Sequence, residues 1–96
     1  MNDPTRSPTI LDGAKVVSVT TTQARFGEAV IEGNETVKIV ALAIARYENS
    51  GSIYLFACDE QWRVVGDLVY DSILKAKEDA ERYYESGKLE WTDVVS

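Results

Sequence analysis

The sequence has no histidine and a single cysteine, Cys58, among its 96 residues. Without histidine, the chain lacks the commonest metal ligand and the usual general base near neutral pH. Zinc sites need sulfur and nitrogen ligands that are missing here. One cysteine cannot form a disulfide within the chain, and a thiol without a disulfide framework is typical of the cytoplasm. We therefore expect a cytoplasmic protein with no cofactor and no bound metal.

Long apolar runs and clustered positive charges are also missing. The longest apolar run, from 39 to 45, has seven residues, far below the ~18 that suggest a membrane-spanning helix. The chain carries 10 Lys and Arg against 16 Asp and Glu, a net charge of -6. Because binding to phosphates depends on clustered basic residues, we expect no nucleic-acid partner. The short apolar runs lead us to expect no membrane partner.

Both prolines, Pro4 and Pro8, lie near the N-terminus among short polar residues. We predict that residues 1–13 form a flexible arm and that residues 14–96 form a single domain. Gly33-Asn34 favours a tight hairpin, because both residue types tolerate positive φ. The composition and alternation of apolar residues predict strands at 14–22, 28–32, 36–47, 53–58 and 62–69. The third and fourth of these are apolar on both faces, which is typical of central strands.

The apolar period changes to 3.6 residues after Asp71 and predicts an amphipathic helix that extends to Ser86. Asp71 or Ser72 can cap its start, and Gly87 can end it. The tail around Trp91 is expected to return along the sheet as a short extended segment. The fold class is therefore α+β: an antiparallel β-meander of about five strands with one C-terminal amphipathic helix packed on one face.

The stretch YLFACDEQWRVVGD, residues 54–67, followed by Asp71-Ser72, resembles a group of small uncharacterised bacterial proteins. The resemblance covers less than half of the chain and implies a hairpin that ends in a capped helix, together with a bacterial origin. That group often carries Trp-His before the cap, where Val69-Tyr70 stand here. The resemblance implies no known activity and carries over no functional residue.

Two groups of residues bear on catalysis. Asp59 and Glu60 follow Cys58 and disfavour a thiolate, so we predict a buried structural cysteine.

Asp67 and Asp71 can form the carboxylate pair of a small hydrolase. Their roles as a solvent-facing strand residue, for Asp67, and as a helix cap, for Asp71, are the better explanation. We therefore expect no enzyme, and keep a small hydrolase using Asp67 and Asp71 as an alternative.

The aromatic residues suggest binding to a protein, because tyrosine and tryptophan are enriched at interfaces. Candidate protein-binding residues are Tyr54, Trp62, Tyr70 and Trp91; the alternative places them at the rim of the core. The leading hypothesis is a non-catalytic protein-interaction or self-associating module of otherwise unknown function. An acidic immunity or antitoxin-like protein that neutralises a basic toxin is a second alternative.

Self-association follows from the expected shape of the domain. One helix covers one face of a five-stranded sheet, whereas the central strands are apolar on both faces. A homodimer can cover the second face by sheet-to-sheet contact, or can form by edge pairing through Val16 to Thr22. Sheet curling, the arm or the segment around Trp91 can cover the face within one chain instead.

Overall fold

The computed structural model describes residues 8–20, 27–83 and 90–94 of the chain. The strands are β1 Ile10–Leu11, β2 Ala14–Thr20, β3 Glu28–Ile31, β4 Glu35–Lys38, β5 Ala41–Arg46, β6 Ile53–Cys58, β7 Val64–Tyr70 and β8 Trp91–Asp93, and the helix is α1 Ile73–Tyr83. The predicted α+β class is confirmed, since one helix accompanies a curled antiparallel sheet of about five strands. The short β8 also confirms that the tail returns along the sheet.

The main sheet has the order β1-β2-β5-β6-β7, and β8 also pairs with β2. Strands β1 and β8 share the outer side of β2, where β1 pairs with residues 14–15 and β8 with residues 18–20. The prediction that two copies pair edge to edge is therefore wrong for residues 16–20, because β2 has β5 on one side and β1 and β8 on the other. Residues 21 and 22 lie outside the described part. The opposite edge of the sheet is β7, whose only described pairing partner is β6.

The predicted strand over 36–47 is two strands in different sheets. Strand β4 pairs with β3 in a separate two-stranded ribbon, whereas β5 joins the main sheet. The backbone N–H of Ile39 donates to the carbonyl of Gly27, and that of Val40 donates to the carbonyl of Cys58, each at 2.9 Å. The chain therefore passes from one sheet to the other between these two residues. The predicted turn at Gly33-Asn34 is confirmed, with φ of 76° and 61°.

The predicted N-terminal arm ends earlier than residue 13. Asp12 and Gly13 both have positive φ, 50° and 81°, and form a tight turn that folds Ile10–Leu11 back onto β2. Leu11 is buried there, and the hydroxyl of Tyr47 donates to the Asp12 carbonyl at 2.8 Å. Residues 8–13 therefore belong to the domain, and residues 1–7 lie outside the described residues.

The sheet has two buried faces. On the face beneath α1, here called the helix face, Leu42, Ile44 and Leu55 pack against Ala76 and Ala80 of the helix. The opposite face, here called the alanine face, is lined by Ala41, Ala43 and Ala45 of β5 together with Val16, Val19, Phe56 and Cys58. The central position predicted for the third and fourth segments is therefore confirmed over β5 and β6.

The alanine face is closed although no described helix lies on it. Register shifts place one extra residue at Val17 in β2 and one at Val65 in β7, and such bulges bend and twist a sheet. Alanine side chains leave room for this bending. Phe56 and Ala43 are 0% exposed as a result. The described residues thus bury the centre of this face within one chain, so a homodimer by sheet-to-sheet contact is not needed to cover it.

Helix α1 begins as the sequence predicts. The backbone N–H of Lys75 donates to the Ser72 hydroxyl at 3.1 Å, which identifies Ser72 as the N-cap residue. The predicted end of the helix at Ser86 and its cap Gly87 lie outside the described residues. No helix in the described ranges is long and apolar enough to cross a membrane.

Candidate functional site

The four candidate aromatic residues lie on two different faces of the sheet. Tyr54 and Trp62 are half-buried against the alanine face, whereas Tyr70 and Trp91 are half-buried against the helix face. On the first side, the Tyr54 ring meets the Tyr47 ring edge to face at 5.1 Å. On the second, the ammonium group of Lys77 lies 5.8 Å from the centre of the Trp91 ring. The structure therefore does not bring these four residues together into one binding surface.

The two candidate carboxylates are also apart. Asp67 lies in the middle of β7, directly across from Phe56, and Asp71 follows the end of that strand. Both are exposed. The three residues between them are extended, and each adds about 3.3 Å along the chain. The structure therefore does not form the Asp67–Asp71 pair. In the described ranges, no three Cys, Asp or Glu side chains are grouped as ligands of a metal ion.

Cys58 is buried at the end of β6, as the sequence predicts, with 0% of the residue exposed. Burial raises the pKa of its thiol to about 12, and the charge of Asp59 adds to the effect. Since the thiolate is the nucleophilic form, this environment holds the side chain in its unreactive state.

Asp59 organises the turn between β6 and β7. Its carboxylate accepts hydrogen bonds from the backbone N–H of Gln61 and of Arg63, both at 2.9 Å, and from Arg63 Nε at 2.6 Å. The turn ends at Trp62, whose φ of 61° is unusual for a bulky residue. Asp59 thus stabilises the turn by accepting three hydrogen bonds within it.

A shallow groove of about 300 Å³ runs beside this turn. Its lining combines Lys38 and Arg63 with Asp59 and Glu60, so the charges of its walls oppose one another. Arg63 is already paired with Asp59 at 2.6 Å. The groove therefore does not define a ligand of one charge.

The surface that bears most directly on function is the outer side of β7 at Leu68 and Val69. Neither residue was among the candidates predicted from the sequence. Leu68 is 40% exposed and Val69 is 58% exposed. Leu68 lies on the helix face, across from Leu55, and Val69 lies on the alanine face, across from Tyr54. An apolar side chain is therefore exposed on each face of a strand whose outer side has no pairing partner among the described residues.

Edge strands expose backbone N–H and C=O groups, and proteins usually protect them with lysine, proline or short length. Strand β7 has seven residues and contains no proline and no basic residue; its one charge is Asp67. The ribbon strands β3 and β4 carry Glu28, Glu35 and Lys38. Because the central strand β6 also contains no lysine and no proline, this composition does not mark 64–70 as an edge in the sequence.

Part of β7 is covered by the ribbon. Strand β3 contacts β7, and Ala29 of β3 and Val65 of β7 pack on the same core. Residues 66–69 are exposed and Tyr70 is half-buried. We define residues 66–69 as the free edge, since no described strand pairs with their outer side.

Comparison of the chain with protein-family models, with curated proteins and with solved structures finds no match. The resemblance of residues 54–67 to small bacterial proteins therefore stays a prediction. The free edge, the turn at Asp59 and the placement of the aromatic side chains are the observations that bear on function.

Proposed function

We propose that the protein is a non-catalytic interaction module that binds an extended protein segment by adding it as a strand to the free edge. The exposure of Leu68 and Val69 on a strand whose outer side has no described pairing partner is the observation that carries this proposal. A strand with a free side presents N–H and C=O groups in a regular row, and an extended chain satisfies these groups without rearranging the sheet.

The side chains of the free edge add contacts to those of the backbone. A bound strand would place alternate residues on the two faces of the sheet. Residues on one face would meet Leu68 and residues on the other would meet Val69. Burying these two side chains together with the backbone groups removes apolar surface from water on both sides of the added strand.

The rest of the main sheet supports this choice of surface. Strand β2 is occupied on its outer side by β1 and β8. Strands β1 and β8 also lie at an edge of the described sheet, but they have only two and three residues, whereas β7 has seven and therefore offers a longer row of backbone groups to a partner strand. Asp67 contributes a charge at the centre of that edge rather than a catalytic carboxylate.

Position-dependent photo-crosslinking tests this function. A photoreactive phenylalanine analogue is introduced at Leu68, and at Leu74 as a matched control, because Leu74 is an apolar helix residue that is 68% exposed. The full chain is irradiated in its native cells. We expect a discrete crosslinked protein from position 68 and none from position 74. Equal crosslinking at both positions, or none at position 68, would contradict the proposal.

Amide hydrogen exchange then tests the mode of binding. In the crosslinked or reconstituted complex, the outward-facing amides of residues 66–69 should exchange more slowly than in the free chain, because the added strand bonds to those alternate amides that do not already bond to β6. Amides of the ribbon residues 28–38 serve as the internal control. Protection confined to the ribbon would place the partner elsewhere and refute strand addition at β7.

A further inference from the structure

We propose that the groove beside the Asp59 turn binds a small zwitterion, a molecule of the amino-acid type that carries one carboxylate and one ammonium group. This inference goes beyond the proposed function, because residues 66–69 do not line the groove. It follows from the charges on the groove walls, which oppose one another and so fit a ligand that itself carries both charges.

Two parts of the chain line the groove. One wall is β4, with Thr36, Val37 and Lys38, and the other is the turn between β6 and β7, with residues 59–61 and 63. The groove has a volume of about 300 Å³, which is at the small end of the range for ligand sites. This size favours a molecule of few atoms, such as a single amino acid.

Arg63 is held at the groove by Asp59. The Nε of Arg63 donates to the Asp59 carboxylate at 2.6 Å, and the Asp59 side chain is 7% exposed whereas that of Arg63 is 55% exposed. A guanidinium group carries several N–H donors, and this bond uses the one on Nε. The two Nη groups can therefore donate together to the carboxylate of a ligand, in the paired geometry typical of arginine.

The turn that presents Arg63 has a defined shape without a ligand. Asp59 accepts hydrogen bonds from the backbone N–H of Gln61 and of Arg63, and the N–H of Trp62 donates to the Asp59 carbonyl at 3.1 Å. Trp62 packs against the alanine face with a φ of 61°, which is disfavoured for a bulky residue and is often found at ligand sites. This preorganisation lowers the cost of ordering the site when a ligand binds.

The charges that remain for a ligand are one positive and one negative. Asp59 and Arg63 offset each other as an ion pair, whereas Lys38 and Glu60 are exposed lining residues. A ligand carboxylate would meet Lys38 and the Nη groups of Arg63, and a ligand ammonium group would meet Glu60. A ligand with a negative charge alone would be repelled by Glu60, and a ligand with a positive charge alone would be repelled by Lys38.

Three matched probes test this charge requirement. The probes are leucine, isocaproate, which lacks the ammonium group, and isoamylamine, which lacks the carboxylate. Each is titrated into the full chain while heteronuclear NMR records the backbone amides. We expect leucine to shift the amides of residues 36–38 and 59–63 in a saturable manner. Each single-charge probe should bind about five-fold more weakly, which is the effect of one exposed ion pair.

Two substitutions assign the charges to residues. Glu60→Gln should reduce leucine binding to the level of isocaproate, because the partner of the ammonium group is lost. Lys38→Gln should weaken the binding of leucine and of isocaproate alike. Glu78→Gln and Lys75→Gln make the same changes at exposed positions of α1 and should leave the binding of all three probes unchanged.

The contrary outcomes are distinct. Equal binding of leucine and isocaproate to the wild-type chain would show that the groove selects an anion, and would overturn the zwitterion. An absence of saturable shifts up to the solubility limit of leucine would overturn the site itself, as would shifts that Glu60→Gln and Lys38→Gln leave unchanged. A retained amide spectrum shows that each variant is folded. None of these results bears on strand addition at residues 66–69, so the two proposals fail separately.

Discussion

Leu55 and Leu68 lie directly across from each other on β6 and β7, yet Leu55 is 2% exposed and Leu68 is 40% exposed. Both side chains are on the helix face. Leu55 has a neighbouring strand on each side, because β6 lies between β5 and β7. Within the described ranges, Leu68 has a neighbouring strand on one side only. The exposed side chain of Leu68 is thus apolar surface at the edge of the described sheet, which the proposed strand addition would bury.

Asp59→Ala should destabilise the fold by about 1–3 kcal/mol, because the substitution leaves backbone N–H groups of the turn without their acceptor. The wild-type carboxylate accepts from Gln61 and Arg63. Urea unfolding followed by tryptophan fluorescence measures the change. Glu60→Ala is the matched control, since Glu60 is the exposed neighbour and should change the free energy of unfolding by less than about 0.5 kcal/mol. Equal effects of the two substitutions would contradict the role of Asp59.

Stability should also depend on pH through Asp59. Burial opposes ionisation, but hydrogen bonds from Arg63 and Gln61 and the charge of Arg63 outweigh it, so the pKa of Asp59 lies below its ordinary value. The unfolded carboxyl titrates near pH ~3.9. Its contribution to stability is therefore present above that pH and is lost as the pH falls through the folded pKa. Asp59→Asn should weaken the acid-induced loss of stability in urea titrations, and an unchanged pH profile would refute this assignment.

Cys58 should resist modification in the folded chain. Burial and the nearby charge of Asp59 raise the pKa of its thiol to about 12, so little thiolate is present near neutral pH. Labelling with a thiol reagent at pH 8 should be slow without denaturant and fast in urea. Labelling at the same rate in both conditions would show that the thiol is accessible.

The sequence predicted the elements of this fold better than their assembly. The turn at Gly33-Asn34, the Ser72 cap and burial of both faces of β5 follow from local patterns of residue type. The division at residues 39 and 40 could not be foreseen, because the apolar run is uninterrupted and the break depends on bonds to distant Gly27 and Cys58.

The candidate site was harder to predict for a related reason. Leu68 and Val69 resemble buried strand residues, and their exposure results from the position of β7 at the end of the sheet order. The aromatic residues were recognised by type, but their division between two faces depends on strand pairing. A pattern along the chain does not specify which strand lies at the edge.

Ser72→Ala should shorten or weaken α1, because Ser72 accepts the hydrogen bond from the Lys75 backbone N–H. Loss of an N-cap side chain costs about 1 kcal/mol. Ser72→Asp should restore most of the lost stability, since aspartate also caps helices well. The free energy of urea unfolding for the three chains provides the test, and no recovery with aspartate would argue against capping.

Ala43→Val should destabilise the fold although valine favours β-strands. Ala43 is fully buried and lies directly across from Phe56 on the alanine face, and added methyl groups in a packed core cost about 1–3 kcal/mol. Thr36→Val, at an exposed strand position, is the control for strand preference alone. A stabilising effect of Ala43→Val would show that the curled sheet leaves unused space.

The central claim is that the edge of β7 binds an extended segment as an added strand, and photo-crosslinking from position 69 tests it most directly. Val69 is 58% exposed and lies on the face opposite to that of Leu68, so an added strand would contact both positions. We predict that the photoreactive analogue at position 69 captures the same protein as the analogue at position 68, and that the analogue at Leu74 captures none. Capture of different proteins at positions 68 and 69, or no capture at position 69, would contradict the claim.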